Sequence, residues 1–204
     1  EEALARLQPE LVEAREIQAD YERLADLFDY SSAAVDQQVV AADVIGGDSS
    51  NLLRSSTILV NRGARDGIAA GMPVVTGQGL VGRVLRVSAD AAQVLLITSP
   101  NSFVSARVQS SRAEGTVEGD ISGPLEMRFI PLGSLVAPGD VVLTSGLGGN
   151  FPADLIIGQV TVVRDEELFR TAQLRSLINF DTLELVLVIT NFQPIDTSVF
   201  ESAP

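Results

Sequence analysis

Three side chains that carry much of protein polar chemistry are missing from this 204-residue chain: it has no cysteine, no histidine and no lysine. Without cysteine there is no disulfide framework and no thiolate metal site, and such a chain suits an oxidising compartment. Without histidine there is no imidazole base, no Ser-His-Asp triad and no histidine-ligated metal. Every basic residue is arginine, whose guanidinium stays protonated, so neither a Ser-Lys dyad nor an arginine base is available. Tryptophan is absent and aromatic residues make up only 5% of the chain, so the core must be aliphatic. No apolar run reaches about 18 residues, so no membrane span or signal peptide is expected within these residues. The sequence opens on Glu1-Glu2 and is expected to be a piece of a longer chain.

What is present is acidic and aliphatic. Fourteen basic residues stand against 27 acidic ones, a net charge of -13. Such a chain repels phosphate backbones and anionic membrane surfaces, so no nucleic-acid partner is expected, and a membrane only through a tether. The hydrophobic fraction is 46%, and Val, Ile and Leu dominate it, which favours strands buried on one face.

The first thirty residues differ from the rest. They contain no glycine, and apolar residues fall at Leu4, Leu7, Leu11, Ala14, Ile17, Tyr21, Leu24 and Phe28. These steps of three and four make a heptad seam with one slip, interrupted early by Pro9. The spacing predicts a coiled-coil dimerisation helix over residues 1–30, with Leu11, Ala14, Ile17, Tyr21, Leu24 and Phe28 as its seam. An amphipathic helix docked on its own domain is the other reading. Residues 31–37 read as a polar linker.

Beyond the linker the period changes to two. Short runs of Val, Ile and Leu recur between Gly, Pro, Asn, Asp and Ser. They predict strands over 39–45, 57–61, 73–76, 82–87, 93–98, 103–108, 115–118, 125–130, 140–144, 155–164, 171–176 and 183–190. The fold class is therefore mainly β, an N-terminal helix followed by small barrels or a sandwich. A faint repeat supports two similar barrels: Gly71 to Val84 resembles Gly139 to Leu147, resuming at Ile157-Gly158-Gln159-Val160. Alone, this repeat would divide the chain near residue 110.

The motifs offer little catalysis. Gly77-Gln78-Gly79-Leu80-Val81-Gly82 satisfies the dinucleotide string, but the alternating Arg83-Val84-Leu85-Arg86-Val87 that follows is a strand where a phosphate-binding helix would be needed. Gly79 and Gly82 then serve a hairpin turn and a close-packed bend. The loop Ser145, Gly146, Gly148, Gly149, Phe151 and Pro152 lacks a phosphate-binding lysine. It is a wide turn with Phe151 plugging a barrel end, or else a partner loop anchored by that aromatic. Asp165, Glu166 and Glu167 form an acidic run of the kind usually solvated at a turn, with no calcium-loop pattern around it. No cofactor, no metal and no enzyme activity are expected. The rival reading is a cell-wall glycan hydrolase, or a relict of one, using paired carboxylates.

At this point the residues resemble a family. Ile58 to Ile68, which contains Gly63, Asp66 and Gly67, is similar to a signature of the rod shape-determining MreC family. So are Gly71-Met72-Pro73-Val74-Val75, Gly79 to Val84 and Val94-Leu95-Leu96-Ile97-Thr98. The block from Gly139-Asp140-Val141-Val142 through Thr144-Ser145-Gly146-Leu147-Gly148-Gly149 to Phe151-Pro152 carries the resemblance furthest. Asp154 departs from it, standing where the family commonly has glycine, as do Ser99 and Leu52-Leu53. The resemblance implies a non-catalytic scaffold of the cell-elongation machinery for peptidoglycan, anchored by a single upstream transmembrane helix, with this region on the extracytoplasmic side. It implies a homodimer capable of higher assembly, and as partners MreD, RodA, a class B penicillin-binding transpeptidase and MreB. It also implies that one barrel is inserted in the other: residues 38–63 and 113–192 as the interrupted barrel, 64–112 as the inserted one, and 193–204 as a flexible tail.

Overall fold

Twelve strands form where the alternation predicts them, and the computed structural model describes residues 37–47, 57–120 and 124–195. The expected coiled-coil helix over 1–30, its seam from Leu11 to Phe28, linker residues 31–36 and tail residues 196–204 lie outside the described residues. The strands are β1 (Val39–Gly47), β2 (Thr57–Val60), β3 (Pro73–Thr76), β4 (Gly79–Val87), β5 (Ala92–Leu96), β6 (Phe103–Val108), β7 (Glu114–Gly119), β8 (Leu125–Ile130), β9 (Val141–Thr144), β10 (Ile156–Asp165), β11 (Arg170–Arg175) and β12 (Leu185–Ile189). Helical structure among the described residues is confined to three-residue 3-10 turns.

The strands close into two six-stranded barrels. Barrel 1 runs in the order β1-β12-β3-β4-β5-β2 and barrel 2 in the order β10-β11-β8-β7-β6-β9. Closure removes the edges that a strand-rich chain would otherwise expose. Barrel 2 is contiguous in sequence, and barrel 1 is completed only by β12, so one barrel interrupts the other. The segments differ from the expected ones. Residues 64–112 are not a unit, because β3 pairs with β12 and β5 with β2 while β6 pairs with β7 and β9. Residues 113–192 are likewise shared between barrels. The reason is physical: hairpins are written locally, whereas the pairings that close a barrel join strands far apart in sequence. The two copies of the faint repeat land one in each barrel, as β3–β4 and β9–β10.

Each barrel is filled by the inward half of its alternation. In barrel 1, Val60, Val74, Val81, Val84, Val94, Leu96, Val186 and Val188 are almost fully buried. In barrel 2 the same holds for Val104, Val117, Met127, Val142, Ile157 and Leu174. Each such side chain contributes about 1.5–3 kcal/mol relative to exposure, so the aliphatic composition is sufficient without tryptophan. Gly82 permits the tight bend of barrel 1, since a Cβ there would run into the Leu95 carbonyl. Gly79 has φ +143, and its missing Cβ leaves room for the backbone of Ile156 in barrel 2, a direct backbone-to-backbone approach of the two barrels.

The chain's entry to barrel 1 and its exit are clasped. Thr190 donates to the Gln38 carbonyl from both its backbone N–H and its hydroxyl. The Gln38 N–H donates back to the Asn191 side chain. Residues 193–195, expected to belong to a loose tail, are held: Pro194 lies against Gly71 and the Ile195 N–H donates to the Gly149 carbonyl.

Candidate partner-binding surface

Most acids whose contacts are described are spent on turns and arginines. Asp66 accepts from the Gly63 N–H at 2.9 Å, and Gly67 ends that turn with φ +83. A Cβ at Gly63 would lie 2.5 Å from the Ser88 carbonyl, so the Asn61–Gly67 segment is a packed structural turn. Asp140 caps Ala137 in the same way, and Asp43 holds Asn61. Among the described residues no group of three or more His, Cys, Asp or Glu is placed to hold a metal ion. A cleft of about 640 Å3 lies where the barrels meet, lined by Val44, Leu96, Leu125, Leu174, Ile178 and Phe180 among others. Its described lining contains one carboxylate, Asp181, so paired-carboxylate chemistry finds no second acid there.

The loop Ser145–Pro152 is built on left-handed glycines, with φ +78 at Gly146, +75 at Gly148 and +66 at Gly149. Thr144, fully buried, fastens both of its ends: its hydroxyl donates to the Pro152 carbonyl at 2.6 Å and accepts from the Leu155 N–H at 2.9 Å. Phe151 is 5% exposed, so its ring is core and not surface. Asp154, where the resemblance leads one to expect glycine, adopts a glycine-like φ of +70. Its carboxylate pairs with Arg107 of β6, whose side chain is largely buried.

Among the described residues, exposed apolar side chains are scattered over both barrels, and Phe129, Leu132, Leu135 and Leu168 lie in the β8–β9 and β10–β11 segments of barrel 2. β8 carries one residue too many: Arg170 and Ala172 of β11 face Ile130 and Met127, so three steps on one strand match two on the other. This bulge puts Phe129 at φ +60 and reverses the alternation, burying Ile130 and leaving Phe129 56% exposed. A left-handed backbone at a bulky residue costs about 1–3 kcal/mol and is often found at functional positions. The Phe129 ring meets that of Phe169 at 5.1 Å between centroids, and the Arg128 guanidinium sits 5.7 Å over it. Leu168 and Leu135 beside them are more than four-fifths exposed. Arg170 organises this end, donating to both carboxylate oxygens of Asp165 and to the Ser134 carbonyl. That hydrogen bond from Arg170 holds the Asp165 carboxyl below the usual carboxylate range. Asp165, Glu166 and Glu167 thus form the solvated turn of the β10–β11 hairpin. Sequence alternation alone assigns Phe129 to the core with Leu125 and Met127; the adjacent pair Phe129-Ile130 is the only trace of the bulge.

Fold and surface together define a class: an all-β double barrel, one barrel nested in the other, with an exposed aromatic end on the inserted barrel. The family model described as rod shape-determining protein MreC, barrel core, matches residues 44–190. The chain is 36% identical over 170 residues to the cell shape-determining protein MreC of Cereibacter sphaeroides, covering 83% of this chain and 55% of that protein. It is 32% identical over 172 residues to the MreC of Listeria monocytogenes, covering 82% and 57%. A solved MreC structure superposes with a TM-score of 0.78 at 27% identity, over 85% of this chain and 98% of that one. The chain belongs to the MreC family. It spans a little over half the length of the curated relatives it matches. The fold also matches a solved complex between penicillin-binding protein (PBP2) and MreC from Helicobacter pylori, with a TM-score of 0.63 over 76% of this chain and 99% of that one; at 17% identity this is a likeness of fold alone.

Proposed function

We propose that this chain is the extracytoplasmic region of a membrane-anchored, non-catalytic scaffold that organises peptidoglycan synthesis during cell elongation and so sets cell shape. The family match over residues 44–190 carries this reading. The use of acids in turns and ion pairs supports a scaffold over a glycan hydrolase. A single transmembrane helix upstream of Glu1 would supply the anchor, and residues 1–30 the dimer, through the seam Leu11, Ala14, Ile17, Tyr21, Leu24 and Phe28. MreD, RodA and MreB belong to the same proposed assembly.

The first partner is a class B penicillin-binding transpeptidase, by analogy with the Helicobacter pylori complex. The Phe129–Phe169 end of barrel 2 offers it an aromatic anchor with an arginine at its rim, the composition typical of binding hot spots. Titration of the transpeptidase's extracytoplasmic part from the same organism tests this. Phe129→Gly lowers the affinity by about 2 kcal/mol, roughly thirtyfold; unchanged affinity moves the contact to another surface. A chain starting at Ala33 is monomeric by light scattering at micromolar concentration. A dimer there assigns self-association to the barrels in place of the seam.

A further inference from the structure

Each barrel presents a bare, left-handed glycine to the same short piece of chain. After β12 the backbone is clasped to Gln38 through Thr190 and Asn191. It then runs to Pro194, whose Cγ lies 2.6 Å from where a Cβ on Gly71 of barrel 1 would be. The next residue, Ile195, lies 2.7 Å from where a Cβ on Gly149 of barrel 2 would be. Its N–H donates to the Gly149 carbonyl at 3.0 Å. Gly71 has φ +87 and Gly149 has φ +66, so both positions disfavour a side chain in conformation as well as in space. Two consecutive residues therefore rest on one barrel and then the other.

We propose that Gln193–Ile195 form a strap that fixes the orientation of barrel 2 on barrel 1. Without it, the described connections between the barrels are the two crossing segments, 97–102 and 176–184, and the backbone approach of Gly79 to Ile156. That approach, where β4 lies beside β10, acts as a pivot. The cleft between the barrels shares no lining residue with the strap and leaves room for rotation about it. Pro194 restricts its own φ and biases Gln193 to an extended backbone, so little entropy is lost when the strap lies down. One hydrogen bond and two side chains on glycine make a weak hold, which a competing extended segment can displace. The strap is thus a releasable lock on how the surfaces of the two barrels are presented together.

The cysteine-free chain allows a direct test. Arg86 on β4 and Glu167 in the β10–β11 turn are exposed, and Arg86→Cys with Glu167→Cys places one spin label on each barrel. Pulsed dipolar spectroscopy, on labelled chain diluted with unlabelled, reads the inter-barrel distance. The full chain and a chain ending at Ile195 give one narrow distance. A chain ending at Phe192, and the variant Ile195→Pro, which lacks the donated N–H, lose it and give a broad distribution. A narrow distance in the chain ending at Phe192 overturns the proposal. So does broadening in the chain ending at Ile195, which puts the hold in later residues. If the chain ending at Phe192 lacks the parent's circular dichroism, Ile195→Pro decides alone, and a narrow distance there overturns the strap.

Discussion

The two barrels share strand number and closure, yet they spend their irregularities differently. Barrel 1 is smooth. Its glycines serve turns and tight approaches, and its residues hold both ends of the described chain. Among the described residues, barrel 2 carries all three non-glycine residues with positive φ, Arg112, Phe129 and Asp154, and most of the exposed large apolar side chains. Strain and exposed apolar surface coincide there because a bulge is what turns Phe129 outward. One architecture used twice can therefore divide labour: the interrupted barrel anchors, and the inserted barrel presents.

The sharpest way to break that contrast is Phe151→Ala, in a loop that looks like surface and packs like core. Loss of a ring this buried lowers stability by about 3–5 kcal/mol in a urea melt. A melt unchanged by this variant would make the loop part of the presenting surface. Phe129→Gly should do the opposite. It relieves a left-handed backbone while giving up a half-exposed ring, so stability stays within about 1 kcal/mol of the parent. A loss as large as that of Phe151→Ala would make Phe129 a core residue and leave barrel 2 without a dedicated binding end.

A smaller effect separates strain from pairing at Asp154. Asp154→Asn keeps the strained backbone and removes the charge facing Arg107, whose Nε already meets no acceptor among the described residues. Asp154→Gly removes the same charge but relieves the backbone by about 1 kcal/mol. Both variants are less stable than the parent by roughly 1 kcal/mol or more, and Asp154→Asn is the worse of the two by thermal melt. The reverse order would show that the backbone there is unstrained. The smallest effect belongs to Asp165. Its folded pKa is depressed, so the stability it contributes is complete above the usual carboxylate range and is lost as pH falls through the folded value. Relative to the intrinsic rate, which itself slows in acid, amides of the β10–β11 hairpin lose protection on acidification in the parent. In Asp165→Asn that acid response is absent.

How much of this could be read from residues depends on the range of the interaction. Strands announce themselves through neighbours two apart, and all twelve were legible; β3, β6 and β8 were bounded to the residue by Pro, Ser, Gly and Asn punctuation. Barrel membership was not. Nothing local to Pro73–Thr76 says that it will pair with Leu185–Ile189, so the expected inserted segment, 64–112, differs from the observed one, β6 to β11. Phe151 beside Pro152 carried a readable hint of burial. Phe129 did not, since its outward turn depends on one extra residue facing a strand some forty positions away.

The clasp between Gln38 and Thr190–Asn191 has a consequence for the order in which the molecule assembles. Those partners stand 152 and 153 positions apart, and β12 leaves a ribosome after every other described strand. Until it arrives, β1 and β3 are open edges, Val39–Asp43 and Val74–Val75 offering unpaired backbone to any passing strand. Barrel 2, contiguous from β6 to β11, has all its strands by then and closes over shorter loops. The inserted barrel is thus the first of the two to mature during synthesis, and the barrel whose strands start earlier is the second. Pulse-labelled hydrogen exchange during refolding would find Val117 and Met127 protected before Val74 and Val188. Aggregation in slow translation would be seeded from barrel 1.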